Sequence, residues 1–334
     1  MTDEEASDGE FSRRQLLFGG AGALAAAGGG RAIYNTTLGY GEFGMGTNLR
    51  EQELPSLVTE RLSTDYDETI DGTRVQLDGS TIIVGEDDES RLSLADDAPD
   101  EAAEIDRTAG LDGRLEDLFV DLAAFHSGEY AFEFHRPRAF FDRFEGADSR
   151  PDLVTAIRGD RDRIVDPATV ERFADADPAD PSALVEGLVE GFREYTSYDV
   201  PRYVAGSIED NVVFGAVDLR QYYEGDVDFE SLLDAGETGI FCWELVFRSE
   251  EALQAVPAPE QSVPIATCYV SDIRHKHAFT GIVGAIREDG ILRLPMTFLD
   301  YTHSTLYDDL HATAILGKGL AAYNSDHRAD EIYW

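Results

Sequence analysis

Three residues in the last hundred of this 334-residue sequence have the types that thiol chemistry needs: Cys242, His277 and Asp300. A thiol becomes a useful nucleophile near neutral pH only when a base takes its proton. The base in turn needs a third group to fix its tautomer. Cys242 sits in Gly239-Ile240-Phe241-Cys242-Trp243, His277 opens His277-Ala278-Phe279, and Asp300 lies in Phe298-Leu299-Asp300-Tyr301-Thr302. If the fold brings them together, Cys242 attacks an amide or related carbonyl. His277 then acts as general base and afterwards general acid, while Asp300 holds the imidazole. That chemistry requires the three to share one solvent-reachable cleft.

Two other uses compete for the same residues. Cys242 and Cys268 are the only cysteines, and in an exported protein such a pair forms a disulfide by default. His275, His277, His303 and His311 crowd one stretch with Asp300 and Asp308, and imidazoles with carboxylates bind zinc or a similar metal. Of these, His275, His277 and His303 are the candidate ligands, although no His-Glu-x-x-His spacing occurs. In the third alternative none of these residues reacts, and the chain is a non-catalytic surface or binding domain.

Local geometry supports the His–Asp half of the site. Two β-rich runs, 277–288 and 291–302, meet at Asp289-Gly290, the signature of a two-residue hairpin turn. Such a turn pairs Glu288 with Ile291, and by extension His277 with Thr302 and Phe279 with Asp300. Side chains alternate with period two, so His277 and Asp300 share a face as diagonal neighbours ~7–8 Å apart. Pro295 is expected to mark an edge or a bulge, and a one-residue bulge would move one of the two off that face.

In order and context these segments resemble the transglutaminase-like superfamily, which includes transglutaminases, peptide-cleaving enzymes and inactive relatives. In that family a cysteine opens a helix packed on a sheet, a histidine starts a strand, and an aspartate ends the next strand. Cys242-Trp243, His277-Ala278-Phe279 and Leu299-Asp300-Tyr301-Thr302 are similar to these three elements, and the resemblance runs from about Pro181 to Thr302. It implies an α+β fold with helices packed on an antiparallel sheet, in a C-terminal domain like that of the cysteine proteases. It also implies a Cys242–His277–Asp300 triad acting on a peptide or protein substrate by hydrolysis or acyl transfer, without a cofactor. The residues themselves leave one point open. The stretch 239–247 also reads as a strand, with Ser249 capping a separate helix over 250–256, and Cys242 would then have no helix N-terminus beside it.

The elements around the candidate site read as follows. Residues 73–84 form a hairpin about Asp78-Gly79, and 86–106 is an acidic, alanine-rich loop. Over 111–125 Leu115, Leu118, Phe119, Leu122 and Phe125 recur at helical spacing, and 130–134 alternates as a strand. Short helices are expected over 152–158 and 168–173. The run 175–181 (DADPADP) marks a boundary between an N-terminal region, 31–175, and a C-terminal domain, 176–334. Ser182 is the expected N-cap of a helix with Leu184, Leu188, Phe192 and Tyr195 buried, despite Gly187 and Gly191. Residues 265–270 form a strand, and the aromatic C-terminus docks on the domain.

Residues 1–30 read as a twin-arginine signal peptide. Ser12-Arg13-Arg14-Gln15-Leu16-Leu17-Phe18 precedes a short Gly/Ala-rich apolar stretch, with Ala25-Ala26-Ala27 as cleavage site. The stretch is shorter than the ~20 apolar residues of a bilayer-spanning helix, so membrane contact is expected only if it stays uncleaved. Export to the cell surface or beyond follows. The chain carries 67 acidic against 27 basic residues, a net charge of −40, spread through well-hydrophobic segments. Such a surface stays soluble in concentrated salt, where charges are screened within ~3 Å at 1 M. It excludes nucleic acid and anionic membrane as partners.

Overall fold

The computed structural model describes residues 53–334 apart from 60–61, 87–88, 97, 160–164, 200–201, 203–204, 206–207, 210–217, 219–226, 237, 275–276 and 303–327. The signal segment and His275, His303 and His311 therefore lie outside the described residues. No helix among the described residues is long and apolar enough to cross a membrane. The protein is α+β, with helices on both faces of a largely antiparallel sheet.

A short helix, α1 (Leu54–Thr59), leads into a four-stranded antiparallel meander of β1 (Asp67–Ile70), β2 (Thr73–Asp78), β3 (Thr81–Val84) and β4 (Ser90–Ser93). The β2–β3 turn falls on the expected Asp78-Gly79, with Gly79 at φ 62°. The acidic stretch expected to be a loop contains β4 and most of a second helix, α2 (Pro99–Ala109). Pro99 near its start needs no N–H partner there, and Asp100 and Glu101 complement the positive helix N-terminus. Asp106, buried near the end of α2, accepts the N–H groups of Gly113 (2.8 Å) and Leu115 (2.7 Å), and so caps α3 (Arg114–Ser127). The predicted apolar stripe of α3 is buried throughout.

Next come β5 (Tyr130–Phe134), α4 (Pro137–Asp142), β6 (Asp148–Ser149), α5 (Pro151–Arg158), α6 (Pro167–Ala174) and α7 (Pro181–Tyr195). The N-cap of α7 is Asp180, not Ser182: its carboxylate accepts from the N–H groups of Ser182 (3.1 Å) and Ala183 (3.3 Å), and Pro181 starts the helix. Gly187 and Gly191 have a packing reason. A Cβ at either would stand 2.3 Å from the Ala174 carbonyl oxygen or 2.5 Å from that of Phe173, so only glycine lets the end of α6 lie against α7. The remaining elements are β7 (Thr196–Tyr198), α8 (Phe229–Ala235), β8 (Thr238–Ile240), α9 (Cys242–Leu253), β9 (Ala266–Asp272), β10 (His277–Val283), β11 (Ile286–Glu288), β12 (Ile291–Leu299) and β13 (Glu331–Tyr333).

The central sheet joins β13, β9, β10, β12, β11 and β6, with β5 parallel to β12 on its other edge. Strands from both sides of residue 175 thus share one sheet. The hairpin register agrees with the turn: Glu288 faces Ile291, Ile286 faces Arg293, and Thr280 faces Leu299. Asp289 (φ 50°) and Gly290 (φ 78°) supply the two left-handed positions of that turn. Pro295 marks neither an edge nor a bulge, because β12 is flanked on both sides and the register is the same before and after it. Its carbonyl accepts the Gly284 N–H at 3.0 Å, but it has no N–H to return. The missing bond falls where β10 gives way to β11.

The ladder stops one residue before Asp300, so His277–Thr302 and Phe279–Asp300 are not strand pairs as expected. His277 instead pairs with Asp272 of β9, and Tyr301–Thr302 turn helical. Two cores fill the faces of the sheet. Phe279, Val283, Cys268 and Phe298 pack with the meander and α3, and Ile282 and Leu299 pack with α7 and α9. The C-terminus docks as expected: β13 pairs with β9, and the Trp334 indole donates to the Val58 carbonyl at 3.1 Å.

Candidate active site

Cys242 is the first residue of α9, which settles the open point at 239–247: the strand ends at Ile240 and one helix runs to Leu253. Ser249 is not a cap. It is buried inside that helix, donating to the Val246 carbonyl at 2.8 Å and meeting the Thr280 hydroxyl at 2.5 Å. The helix starts where it does because Glu244, three residues past the N-cap Phe241, reaches back to accept the Phe241 N–H at 2.7 Å. That is the reciprocal half of a capping box.

Arg202 holds Glu244 in that position from 42 residues away, donating through Nη1 at 2.8 Å, with both side chains buried. The guanidinium also lies over the Phe241 ring at 4.6 Å and 5.8 Å from the Trp243 ring. Its Nε has no acceptor among the described residues. A buried pair left partly unsatisfied adds little stability, so its contribution is to geometry. Asp199 closes the circuit. Its carboxylate accepts the Arg202 N–H at 2.9 Å, and its own N–H donates to the Ile240 carbonyl at 3.1 Å.

Gly239 permits that approach, since a Cβ there would stand 2.9 Å from the Asp199 carboxylate. Gly239→Ala is expected to push Asp199 away and cost ~1–3 kcal/mol through overpacking. A urea titration would check it, and an unchanged midpoint would show that the contact yields freely.

The structure brings all three candidate residues together. His277 Nε2 and Asp300 Oδ2 are 2.9 Å apart, and Cys242 lies near enough to the same ring to help hold its pKa up. By strand alternation the imidazole belongs to the face of Phe279, yet α9 packs on the opposite face, where Cys242 and Val246 cover Ala278. They meet because each stands at the same end of the sheet: Cys242 first in α9, His277 first in β10, Asp300 directly after β12. The site is nearly closed, with Cys242 8% exposed, His277 7% and Asp300 5%.

Burial alone would pull the His277 pKa down. The charge and hydrogen bond of Asp300, then the hydrogen bond and charge of Cys242, outweigh it and raise the ring to about 10. A protonated imidazole beside sulfur is the arrangement that holds a thiolate and later supplies a proton to a leaving amine. Tyr269, which packs on Cys242, is pushed up to about 12, first by burial and then by the charge on that sulfur.

The alternatives read from the sequence fare differently. No disulfide joins Cys242 and Cys268, and the sheet separates them: the Cys268 sulfur occupies the space over Gly281 in the core on the other face. For the metal reading, His275 and His303 lie outside the described residues, and His277 is engaged by Asp300. Among the described residues no three His, Cys, Asp or Glu side chains are grouped to hold an ion. Arg202, Glu244, Asp199 and Tyr269 were not legible as site residues. The one available signal was the glutamate three residues past the N-cap, and it was masked because phenylalanine is an unusual cap. No protein-family model, no curated protein and no solved structure matches this chain.

Proposed function

We propose that this protein is an exported thiol enzyme that transfers or hydrolyses acyl groups of peptide amides, with Cys242, His277 and Asp300 as its catalytic residues. The observation that carries this reading is an imidazole bonded to a carboxylate at 2.9 Å, beside a cysteine that opens a helix packed on the neighbouring strand residue. In the proposed cycle His277 already carries the proton that sulfur has given up, and sulfur adds to the amide carbonyl carbon. The oxyanion forms next to the first N–H groups of α9, which have no intrahelical acceptor. The ring then returns its proton to the amide nitrogen, the C–N bond breaks, and a thioester remains on Cys242. Water or an amine attacks the thioester, gives a proton to the ring, and restores the thiolate as acid or new amide leaves.

The finer fold assignment belongs to the same proposal. A cysteine-opened helix, a histidine-opened strand and an aspartate just past the next strand support a transglutaminase-like frame. Delivery through the twin-arginine segment would place the folded domain at or beyond the cell surface, in keeping with its acidic composition. The low exposure of Cys242 favours the second reading, a surface domain with the same frame and no turnover. Acid-quenching the protein after mixing with an activated acyl ester separates the two. Mass spectrometry is expected to find one acyl group per chain, on the peptide that contains Cys242. An unmodified Cys242 would leave only the inert domain.

A further inference from the structure

We infer that Trp243, Phe247, Tyr269 and Tyr333 form a subsite for an aromatic or large aliphatic side chain of the peptide acyl donor, placed beside Cys242. The inference rests on the acyl-transfer reading and names the substrate class for that same site.

Helical spacing separates two faces of α9. Cys242, Leu245, Val246 and Ser249 turn inward and are buried, while Trp243 and Phe247, four residues apart, turn outward and are 39% and 43% exposed. Their rings meet edge to face at 5.8 Å, Phe247 stands 5.8 Å from Tyr269, and Tyr269 stands 6.1 Å from Tyr333 of the edge strand. The row therefore runs off the helix and across the sheet edge. Tyr269 ties it to the chemistry, because it also packs on the cluster of Cys242, Val246 and Ala278.

The location of apolar exposure is a separate observation. Among the described residues five large apolar side chains are exposed: Ile208, Trp243, Phe247, Ile273 and Ile291. Trp243 adjoins Cys242, Phe247 is one turn further along the same helix, and Ile273 sits in the β9–β10 turn that precedes His277. On a chain of net charge −40, apolar exposure gathers beside the candidate nucleophile.

Size decides the occupant. An aromatic residue presents ~150–250 Å² in all, so two rings exposed by about two-fifths offer roughly 120–200 Å². A stable contact with a second copy needs about 800 Å² per partner. One side chain of a bound peptide matches the smaller figure.

The test uses the full chain carrying Cys242→Ser, which cannot turn over, and two blocked peptide amides that differ only in Phe or Ala next to the reacting amide. Calorimetry is expected to show the Phe peptide binding ~10-fold tighter. Trp243→Ala with Phe247→Ala in the same background should remove that preference and leave the Ala peptide unchanged. A third variant, Ile291→Ala, alters an exposed side chain of the β11–β12 hairpin and should keep the preference. Equal affinity for the two peptides, no binding of either, or a preference that survives the double substitution would overturn the subsite. Binding does not need the sulfur, so a failed acylation of Cys242 with a retained Phe preference would refute the chemistry and leave the subsite standing.

Discussion

Replacing His277 by alanine slows alkylation of Cys242 by iodoacetamide near neutral pH by roughly 100-fold or more, the range of a lost general base. In the folded wild type only Cys242 should react. Cys268 is fully buried against Gly281 in the opposite core, so one label per chain before unfolding and two after it would identify the reactive thiol. Asp300→Asn tests the third member through pH. The protonated ring must donate to the leaving amine, so acyl transfer is lost as pH rises through the His277 pKa, about 10 in the wild type. Without the carboxylate charge, only Cys242 offsets the pull of burial, and the alkaline limb moves to lower pH. Equal alkylation rates in wild type and His277→Ala would remove the base from the mechanism. A limb that stays put in Asp300→Asn would remove the carboxylate.

The second large effect lies far from sulfur. Asp121 of α3 is buried between Arg150 and Arg287, accepting from Arg150 Nε at 2.5 Å and from Arg287 Nη2 at 2.6 Å, and so pins α3 to β11 and to the start of α5. Burial raises its carboxyl pKa in spite of both guanidinium groups, so the cost of taking the charge out of water is not fully repaid. Asp121→Ala is expected to destabilise by ~3–5 kcal/mol, because it strands buried arginine charge with only the exposed Asp117 and Asp148 as partners. Replacing all three charges with Leu and Met should cost far less, since no charge is then left unpaired. Chemical denaturation of both variants checks the pair of statements. A single substitution as mild as the triple one would mean that water reaches the site.

The His277–Asp300 half of the candidate site was legible because it depends on short-range rules. Asp289-Gly290 sets a two-residue turn, the turn sets the register, and period two sets which side chains share a face. Those rules hold through Pro295, where a missing N–H opens the ladder without adding a residue. They do not say where β12 ends. Asp300 leaves the sheet one residue past Leu299, and the pair is made by side chains and not across a ladder rung. The buried stripes of α3 and α7 were legible for a similar reason, helical period.

The composition and the hairpin register follow from the chain alone, since each rests on residue types or on neighbours a few positions apart. Whether Cys242 opens a helix or sits in a strand did not, because nine mostly apolar residues suit both. The start of α9 rests on Glu244, and Glu244 is held by Arg202 from a segment that carries no local mark of its partner. The meeting of sulfur and imidazole was equally out of reach. Alternation assigns them to opposite faces of the sheet, and only the packing of α9 over Ala278 brings the start of the helix to the end where β10 begins.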